Sequence, residues 1–355
     1  MPTAPLRVVV WSTGGIGSIA IRAVDRRPDL DLVGVWVHSQ EKVGRDAGEL
    51  AGGDPVGVAA SDDVDALLAL QPDCVIYAAS GPEQDAASVP DYVRFLEAGV
   101  NVVTVSSWAL IHPPSYQPTW RGQLEEAARR GGASLYASGI EPGFAADQLP
   151  LLLMTQSNSI RSIRASEFAL YDTYPGEFLM KDAMGFGQPL DHPALLATPG
   201  ALLSAWGPVI GLIADALQVE VEEIREEVDR AATDRTLEVA CGTIEAGTCG
   251  AIRTQAIGVV NGRDAIVIEH VNRMAEDLAP EWPIGERDGT YRIVIEGDPD
   301  IECSMAVGDP KSASAGAMVA TAMRIVNAVP YVVAAAPGLR TSLDLPITVP
   351  HGALV

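Results

Sequence analysis

The feature that most constrains this chain is an abrupt change of character near its start, in the stretch VVVWSTGGIGSIAIRAV at residues 8–24. β-forming residues run directly into hydroxyl residues and glycines, and an apolar pattern of helical period follows. This order predicts a strand, a tight turn and a helix that begins at the turn. The N-terminus of such a helix presents free backbone N–H groups and the positive end of the helix dipole, which is typical of a phosphate-binding site.

The turn aligns with the dinucleotide-binding pattern GxGxxG, with Ser12 at the position of the first glycine. Gly14 would let the backbone approach a pyrophosphate, and Gly17 would let the helix pack closely against the strand. The alternative is a tight turn that binds no ligand. The predicted cofactor-binding residues of this turn are Ser12, Thr13, Gly14, Gly15, Ile16 and Gly17.

The end of the second predicted strand indicates which dinucleotide binds. An NAD site usually has Asp or Glu there, about 20 residues past the glycines, on the ribose 2′-hydroxyl. The segment LVGVWVHSQEK instead ends in His38 and Ser39, with Lys42 just beyond. A hydroxyl and an ammonium group without an acid at the strand end favour a 2′-phosphate, so the predicted cofactor is NADP, with NAD as the second choice. The alternative is that these three side chains form a solvated turn.

From residue 6 to about 137, short β-branched runs alternate with segments of helical period. This alternation predicts an α/β fold with an N-terminal Rossmann doubly wound parallel sheet. A helical segment over 143–156 follows, and then several strands between 224 and 306, with TLEVACGTI as one of them. These predict a C-terminal α+β domain with a mixed sheet. We expect a Rossmann domain at 1–138, a substrate and dimerisation domain at 139–310, and a C-terminal helix and tail that return to the Rossmann domain at 311–355.

The charge balance restricts the partners. The 355 residues include 47 Asp and Glu against 24 Lys and Arg, a formal net charge of -23 that would repel nucleic acid. Four cysteines without CxxC spacing favour a reduced, cytoplasmic protein. Arg324, Asn327 and two prolines interrupt the apolar stretch 317–339, which favours a buried helix over a membrane span. We therefore expect a small-molecule substrate, and neither nucleic acid nor membrane as a partner.

Ligands of parallel sheets bind at the carboxyl ends of the strands. The residues at the ends of the predicted strands CVIYAA and NVVTVSS are therefore candidates, although ordinary loop chemistry is the alternative for each. The cofactor candidates are Ala79, Ser80 and Ser106, and the substrate-pocket candidates are Ser107, Trp108 and His112.

Five segments together resemble one known family: WSTGGIG, VGRDAGELAG, SGIEPGFAADQLPL, MGFGQP and VNAVPYVVAAAPGL. They are similar to the dihydrodipicolinate-reductase-like proteins, and within these to the branch of 2,4-diaminopentanoate dehydrogenase and the native amine dehydrogenases. The resemblance covers nearly the whole chain. It implies a Rossmann domain, a mixed-sheet domain that forms a homodimer and lines the substrate pocket, and interconversion of ketones and amines with NAD(P)H.

The sequence departs from that family pattern at two places. The His-His and Lys constellation of true dihydrodipicolinate reductases is not found, which argues against lysine biosynthesis. The amine dehydrogenases resembled here carry a Glu just past the fifth strand, whereas this chain has Ser106, Ser107 and Trp108. Glu141, after the last Rossmann strand, is the candidate replacement, since a partly buried carboxylate can hold an iminium group or act as a general acid. The alternative is a helix-start Glu before Pro142.

Further candidates lie in EFALYDTYPGEF, after a strand of the second domain. Tyr174 can donate a proton to a carbonyl oxygen and is the second predicted catalytic residue. His270 is interpreted as a cross-strand partner, and no histidine or cysteine pair has metal-ligand spacing, so no metal is predicted. Aromatic pocket walls are predicted, with packing between sheet and helix as the alternative. They are Phe144, Phe168, Tyr171 and Phe178.

The predicted function is NAD(P)H-dependent hydride transfer to a C=N or C=O group of a small, mainly apolar substrate, in the manner of an amine dehydrogenase or imine reductase. Two alternatives stay open. One is a ketone or alcohol oxidoreductase, which hydroxyls at Ser106 and Ser107 would suit, and the other is a dinucleotide-binding protein without turnover. A carboxylate at Glu141 would instead suit an amine.

Overall fold

The computed structural model describes residues 4–79, 84–309 and 313–354. Its chain forms two compact units: unit 1 comprises Met1–Ile140 and Met318–Val355, and unit 2 comprises Glu141–Ala317. The strands are β1 (Leu6–Trp11), β2 (Leu30–Trp36), β3 (Ala60–Ser61), β4 (Cys74–Tyr77), β5 (Asn101–Thr104), β6 (Ser134–Ala137), β7 (Ser159–Leu170), β8 (Glu223–Ala232), β9 (Leu237–Val239), β10 (Gly242–Ile244), β11 (Cys249–Val260), β12 (Arg263–Arg273), β13 (Thr290–Asp298), β14 (Ile301–Ala306) and β15 (Gly338–Arg340). The α-helices are α1 (Gly15–Asp25), α2 (Ala47–Leu50), α3 (Val64–Ala69), α4 (Gln84–Glu97), α5 (Pro118–Gly131), α6 (Gln148–Met154), α7 (Ala201–Leu217) and α8 (Ala313–Ala334).

Unit 1 is built on a parallel sheet. Within the described residues this sheet has seven strands in the order β15-β6-β5-β4-β1-β2-β3. Every residue of β4 and β6 is buried, as in strands that are covered on both faces. The chain order reverses between β1 and β4, and ligands of such sheets bind outside the carboxyl ends of the strands at that switch point. The predicted doubly wound parallel sheet is confirmed.

The end of the chain completes unit 1. Ile325 and Val329 of α8 lie in the same apolar core as Val8 of β1 and Ile76 of β4. By length and composition α8 could cross a membrane, with a mean hydropathy of 1.5, and 33% of its apolar stretch is buried inside the protein. Strand β15 pairs with β6 in parallel, which extends the sheet by a strand that was not predicted. Its three residues are too few to give a periodic pattern.

Unit 2 is built on a mixed sheet, as predicted. Among the described residues it has six strands in the order β14-β13-β7-β12-β11-β8. The central pair β7 and β12 is parallel, and the other neighbours are antiparallel. Helix α7 packs its residues Val209 and Ile210 into a core with Ile163 of β7 and Ile266 of β12. The core includes Ala165 of β7 and Ile268 of β12 but not the polar residues that follow them toward the carboxyl ends of these strands.

Two local predictions for unit 2 are wrong, and one strand was not predicted. TLEVACGTI forms not one strand but the short hairpin of β9 and β10, a separate two-stranded sheet. Strand β8, EIREEVDRAA, was missed because its many charged residues hide the alternation of buried and exposed positions. Charged side chains are common in a strand at the edge of a sheet, where β8 lies. Helix α6 begins at Gln148 rather than near residue 143, because Gly143 has φ of 143° and Pro142 has no N–H group to donate.

Candidate active site

The glycine turn after β1 brings α1 close to the strand. Ser12 has φ of 95°, in the left-handed region that favours glycine, and its hydroxyl oxygen accepts a hydrogen bond from the Gly14 N–H at 3.2 Å. A Cβ atom at Gly17 would lie 2.0 Å from the Ser12 carbonyl oxygen. Only glycine permits this approach of helix to strand, and Ser12 takes the conformation of the glycine it replaces.

The N-terminus of α1 fits a phosphate group. Its N-cap is Gly14, and no side chain caps the helix, so backbone N–H groups of the first turn keep their donor capacity. The Lys42 ammonium group donates a hydrogen bond to Thr13 Oγ1 at 3.1 Å, which brings a cation to the turn. At the end of β2, His38 is exposed and Ser39 is partly buried. The free N–H groups and the Lys42 ammonium group are the donors and the charge that a phosphate group requires.

The other candidates of unit 1 follow β4 and β5. The Ser106 hydroxyl donates to the Ala79 carbonyl oxygen at 2.5 Å, which ties the ends of the two strands together. Trp108 is 52% exposed, whereas His112 is buried. Ser80 lies outside the described residues.

The hydroxyl of Ser107 belongs to a buried network within unit 1. Its Oγ lies 3.2 Å from Ser88 Oγ and 3.3 Å from the Tyr92 hydroxyl, which in turn lies 2.8 Å from Thr104 Oγ1. Burial raises the pKa of Tyr92 to about 12, so the network is neutral. We call Ser88, Tyr92, Thr104 and Ser107 the hydroxyl network. Its members satisfy one another's hydrogen bonds just past β5, where the resemblance led us to expect a Glu.

The central strands of unit 2 change from apolar to polar toward their carboxyl ends. On β7 the core residue Ala165 is followed two positions later by Glu167. On β12 the core residue Ile268 is followed by His270 and then Asn272. Because side chains two residues apart share a face of the sheet, these polar groups lie on the face that packs against α7. Glu167 and His270 are direct partners in the parallel register.

Glu141 meets this face from outside the sheet. It has extended backbone, with φ of −156° and ψ of 116°, and α6 begins only at Gln148, so the interpretation as a helix-start Glu is wrong. Asp147 is the N-cap of that helix. The Glu141 side chain is 5% exposed, and its Oε1 accepts a hydrogen bond from Trp206 Nε1 at 3.1 Å and lies 3.3 Å from His270 Nε2. The Trp206 and His270 rings are 4.3 Å apart, centroid to centroid.

Glu167 is the second buried carboxylate of this region. Its Oε1 accepts hydrogen bonds from Asn272 Nδ2 at 3.1 Å and from the Tyr171 hydroxyl at 3.2 Å, and the Tyr291 hydroxyl also bonds to it. Burial first, and the charge of Glu167 second, raise the pKa of both tyrosines well above the ordinary value. Both hydroxyls therefore stay protonated and donate. We call Glu141, Glu167 and His270 the acid cluster.

The charges of the acid cluster shift its protonation. Burial raises the pKa of Glu141 above its ordinary value, the hydrogen bond and charge of His270 lower it in part, and the carboxylates of Glu167 and Asp147 raise it again. Burial alone would lower the pKa of His270, but the hydrogen bond to Glu141 and the charges of Glu167, Glu141 and Glu269 leave it raised. The pair of Glu141 and His270 thus holds protons more tightly than the two groups would in water.

The aromatic candidates of unit 2 lie in different surroundings. Tyr171 contacts the acid cluster directly through Glu167. The Tyr174 ring packs edge-on against the Tyr171 ring, with ring centroids 5.7 Å apart. Burial raises the pKa of Tyr174. Phe168 is 4% exposed, Phe144 is partly buried, and Phe178 is 47% exposed. Tyr171 and Tyr174 are therefore the aromatic candidates that the structure brings to the carboxylates.

Glu167, Asn272, His270 and Trp206 were missed by sequence reasoning as site residues. One feature of the sequence could have indicated the three strand residues among them: polar residues interrupt the otherwise apolar strands IVIEHVNR and RASEFAL near their carboxyl ends. His270 is a cross-strand partner of Glu167, as interpreted, but its imidazole also contacts Glu141 from another part of the chain. No pattern local to β12 indicates that contact.

Comparison with protein families matches both parts of the chain. The model described as "2,4-diaminopentanoate dehydrogenase C-terminal domain" matches residues 144–354. The model described as "Dihydrodipicolinate reductase, N-terminus" matches residues 6–86, which include the glycine turn. The first match alone covers more than half of the chain.

Individual proteins give the same assignment. An amine dehydrogenase from Streptomyces virginiae is 41% identical over 347 residues, which cover 96% of each chain. The 2,4-diaminopentanoate dehydrogenase of Acetoanaerobium sticklandii is 23% identical over 354 residues, 96% of this chain and 94% of that one. The solved amine dehydrogenase from Mycobacterium smegmatis shares the fold, with a TM-score of 0.78 and 23% identity over 98% of each chain. The chain therefore belongs to the 2,4-diaminopentanoate dehydrogenase and amine dehydrogenase family, and it is an NAD(P)-dependent oxidoreductase of that family.

Proposed function

We propose that this protein interconverts a small, mainly apolar ketone and its amine, with Glu141 as the acid and base. The observation that carries this proposal is the buried pair of Glu141 and His270, joined at 3.3 Å in a cluster with a second carboxylate, Glu167. In the chain, Glu141 follows the segment that leaves the carboxyl end of β6, the edge of a parallel sheet where ligands bind. An acidic cluster suits a substrate that becomes positively charged, as an imine does.

The hydroxyls that would suit a ketone reductase are engaged elsewhere. Ser107 is fully buried in the hydroxyl network, and Ser106 donates to the Ala79 carbonyl oxygen. Neither hydroxyl is free to donate to a substrate carbonyl without breaking an existing hydrogen bond. This supports amine chemistry over alcohol chemistry for the chain.

The proton balance of the reaction assigns a role to Glu141. Reductive amination joins a ketone, an ammonium ion, one proton and the hydride of NAD(P)H, and it yields a protonated amine, water and NAD(P)+. When bound, the nicotinamide supplies the hydride. The Glu141 carboxylate takes the proton that ammonium releases as ammonia attacks the ketone carbon, and burial, which raises its pKa, helps it to keep that proton. It then gives the proton to the departing hydroxyl of the carbinolamine, which leaves as water. The resulting carboxylate, with His270 Nε2 beside it, stabilises the iminium cation, and after hydride transfer the neutral amine takes up the remaining proton of the balance from solvent.

We propose NADP as the preferred cofactor. The observation in support is Lys42, whose ammonium group lies 3.1 Å from Thr13 Oγ1 beside the glycine turn. An ammonium group there can pair with a 2′-phosphate, and β2 ends at Trp36 without the acid that holds an NAD ribose. Ser12 to Gly17 would hold the pyrophosphate through backbone N–H groups, and His38 and Ser39 would flank the ribose.

We propose that Tyr171 and Tyr174 contribute to the substrate pocket, with Tyr174 as a further proton donor. Burial keeps the Tyr174 hydroxyl protonated, and its ring packs on Tyr171, which contacts Glu167.

A homodimer through the sheet of unit 2 and a cytoplasmic location stay predictions. The free thiols of the four cysteines support the second, and a monomeric mass in solution would contradict the first.

The test is NADPH oxidation with a panel of aliphatic and cyclic ketones, each with and without high ammonium, and with NADH in parallel. We expect turnover only when ammonium is present, and faster turnover with NADPH. Turnover of ketones without ammonium would indicate carbonyl reduction and would contradict the proposed amine chemistry. Equal use of NADH at low concentration would refute the preference for NADP.

A further inference from the structure

The acid cluster has more negative charge than its own cation can balance. Glu141 and Glu167 are both buried, and each raises the pKa of the ionisable groups near it. Among the described residues no ion pair joins a Lys or Arg to either carboxylate, and the pairing group is His270. When Glu141 and His270 share one proton and Glu167 is ionised, the cluster carries one uncompensated negative charge, which is costly in a buried place.

The partners of Glu167 do not remove this charge. Asn272, Tyr171 and Tyr291 are neutral donors, and the raised pKa of the two tyrosines keeps them neutral. Neutral hydrogen bonds solvate a carboxylate but leave its charge in place. Such an arrangement holds an anion ready for a cation that arrives from outside the chain.

A second and independent sign of a ligand is the other nitrogen of His270. Nε2 faces Glu141, while Nδ1 is buried and has no hydrogen-bond partner among the described residues. The side chain is 6% exposed. Unpartnered buried nitrogens are rare, because each gives up the hydrogen bond that it would make with water. When Nε2 carries the proton, Nδ1 is an acceptor that lacks a donor.

We infer that the acid cluster binds an ammonium ion, held between the Glu167 carboxylate and the Nδ1 atom of His270. This inference rests on the proposed function, in which ammonium is the second substrate. Ammonium carries one positive charge and four N–H donors, so it supplies both the missing cation and the missing donor. Binding lets His270 give up its extra proton, since the ion then balances the carboxylates.

A metal cation fits the cluster less well. Within the described ranges no group of three or more His, Cys, Asp or Glu side chains has an arrangement suited to a metal ion. One oxygen of Glu167 already accepts hydrogen bonds from Asn272 and Tyr171. Hard metal ions need several convergent oxygen ligands, whereas ammonium needs directional acceptors. The chemistry present therefore selects ammonium.

The kinetic test is the variant Glu167→Gln, which keeps the shape of the side chain and an acceptor oxygen for Asn272 and Tyr171 but removes the charge. We expect the KM for ammonium to rise at least about tenfold while the KM values for ketone and NADPH change little. The matched control is Glu177→Gln, a carboxylate of the same unit that pairs with Lys181 on the surface. An unchanged KM for ammonium in Glu167→Gln would overturn the inference.

A binding test without turnover separates the inference from the proposed function. The melting temperature of the wild-type protein is measured in ammonium chloride and in potassium chloride at equal concentration. We expect a higher melting temperature in ammonium, and no such difference in Glu167→Gln or, if that variant does not fold, a reduced difference in Tyr171→Phe. Equal melting temperatures in the two salts would refute ammonium binding. Ammonium-specific stabilisation without ammonium-dependent turnover would keep the site and reject the proposed reaction.

Discussion

The hydroxyl network of unit 1 and the acid cluster of unit 2 are both buried and polar, but they differ in charge. In the hydroxyl network, Tyr92 bridges Thr104 and Ser107, and every group named there has a neutral partner. In the acid cluster, the His270 imidazole pairs with Glu141, the Glu167 carboxylate has neutral donors, and the second nitrogen of the imidazole has no partner among the described residues. A satisfied neutral network stabilises a fold, whereas a charged cluster with an open partner is suited to chemistry.

The difference also concerns the position at which the resemblance implied a charged residue. The family resemblance led us to expect a Glu just past the fifth strand, where this chain has Ser107 in the hydroxyl network. We propose that the charged function has moved to Glu141, at the start of unit 2. The predictions below test this division, in which unit 1 binds the cofactor and unit 2 handles protons.

The largest effect is expected for Glu141→Gln. The amide cannot donate the proton that the carboxyl group gives, so kcat/KM should fall by about 100-fold or more. The measurement is steady-state NADPH oxidation with ketone and ammonium. The control is Glu296→Gln, an exposed carboxylate of β13 bonded to Ser162. A kcat/KM value equal to that of the control would mean that Glu141 has a structural rather than a catalytic role.

A smaller effect is expected for Lys42→Ala, which tests the charged group of unit 1. Loss of an ammonium group from a 2′-phosphate should raise the Kd for NADPH roughly tenfold. The Kd for NADH should stay the same, because NADH has no phosphate at that position. Equilibrium titration of both cofactors gives the measurement. Equal weakening of both would mean that Lys42 acts through Thr13 and the shape of the turn.

Removal of a hydroxyl from the hydroxyl network should change stability without changing catalysis. Tyr92→Phe deletes the group that bonds Thr104 and Ser107, and it should lower the free energy of unfolding by about 1–2 kcal/mol. Denaturant unfolding measures this loss, and kinetic constants serve as the contrast. A marked fall in kcat with native stability would show that the network takes part in the reaction.

The smallest effect concerns the pH dependence of stability. The pKa values of Glu141 and His270 are raised in the folded state, from ordinary values of 4.5 and 6.5, so the folded protein binds more protons than the unfolded chain above those values. Their contribution to stability is therefore greatest at low pH and is lost as pH rises through the folded-state pKa values. The double variant Glu141→Gln, His270→Gln should show a flatter decline above about pH 6.5. The groups that face this pair are Glu167, Asp147 and Glu269, and an unchanged slope would contradict the shifts.

Much of unit 1 could be predicted because its signals are local. The turn requires glycine at residue 17, because a Cβ there would collide with the Ser12 carbonyl oxygen. This requirement can be read directly from the sequence pattern. The buried strands are likewise visible as continuous apolar runs. Strand β8 was missed for the opposite reason, since its charged residues give no apolar run.

In the acid cluster and its surroundings, only Glu141 and the two tyrosines were predicted. Glu141 attracted notice because it follows the last strand of the parallel sheet, and Tyr171 and Tyr174 because they follow a strand of the second domain. Glu167 and His270 lie inside strands, where a polar residue has no local mark of function. Their contact with Glu141 depends on the parallel pairing of β7 with β12 and on the packing of α7.

By itself the sequence determined the parallel sheet, the dinucleotide turn and the family, because each rests on residues close together in the chain or on segments that match as a whole. Only the tertiary structure decided that Ser107 is engaged in a neutral network and that Glu141, Glu167 and His270 share one buried place. The physical reason is that burial and charge balance are set by all the elements that surround a group. A strand pattern specifies which face a side chain occupies, but the groups that meet it there come from distant parts of the chain.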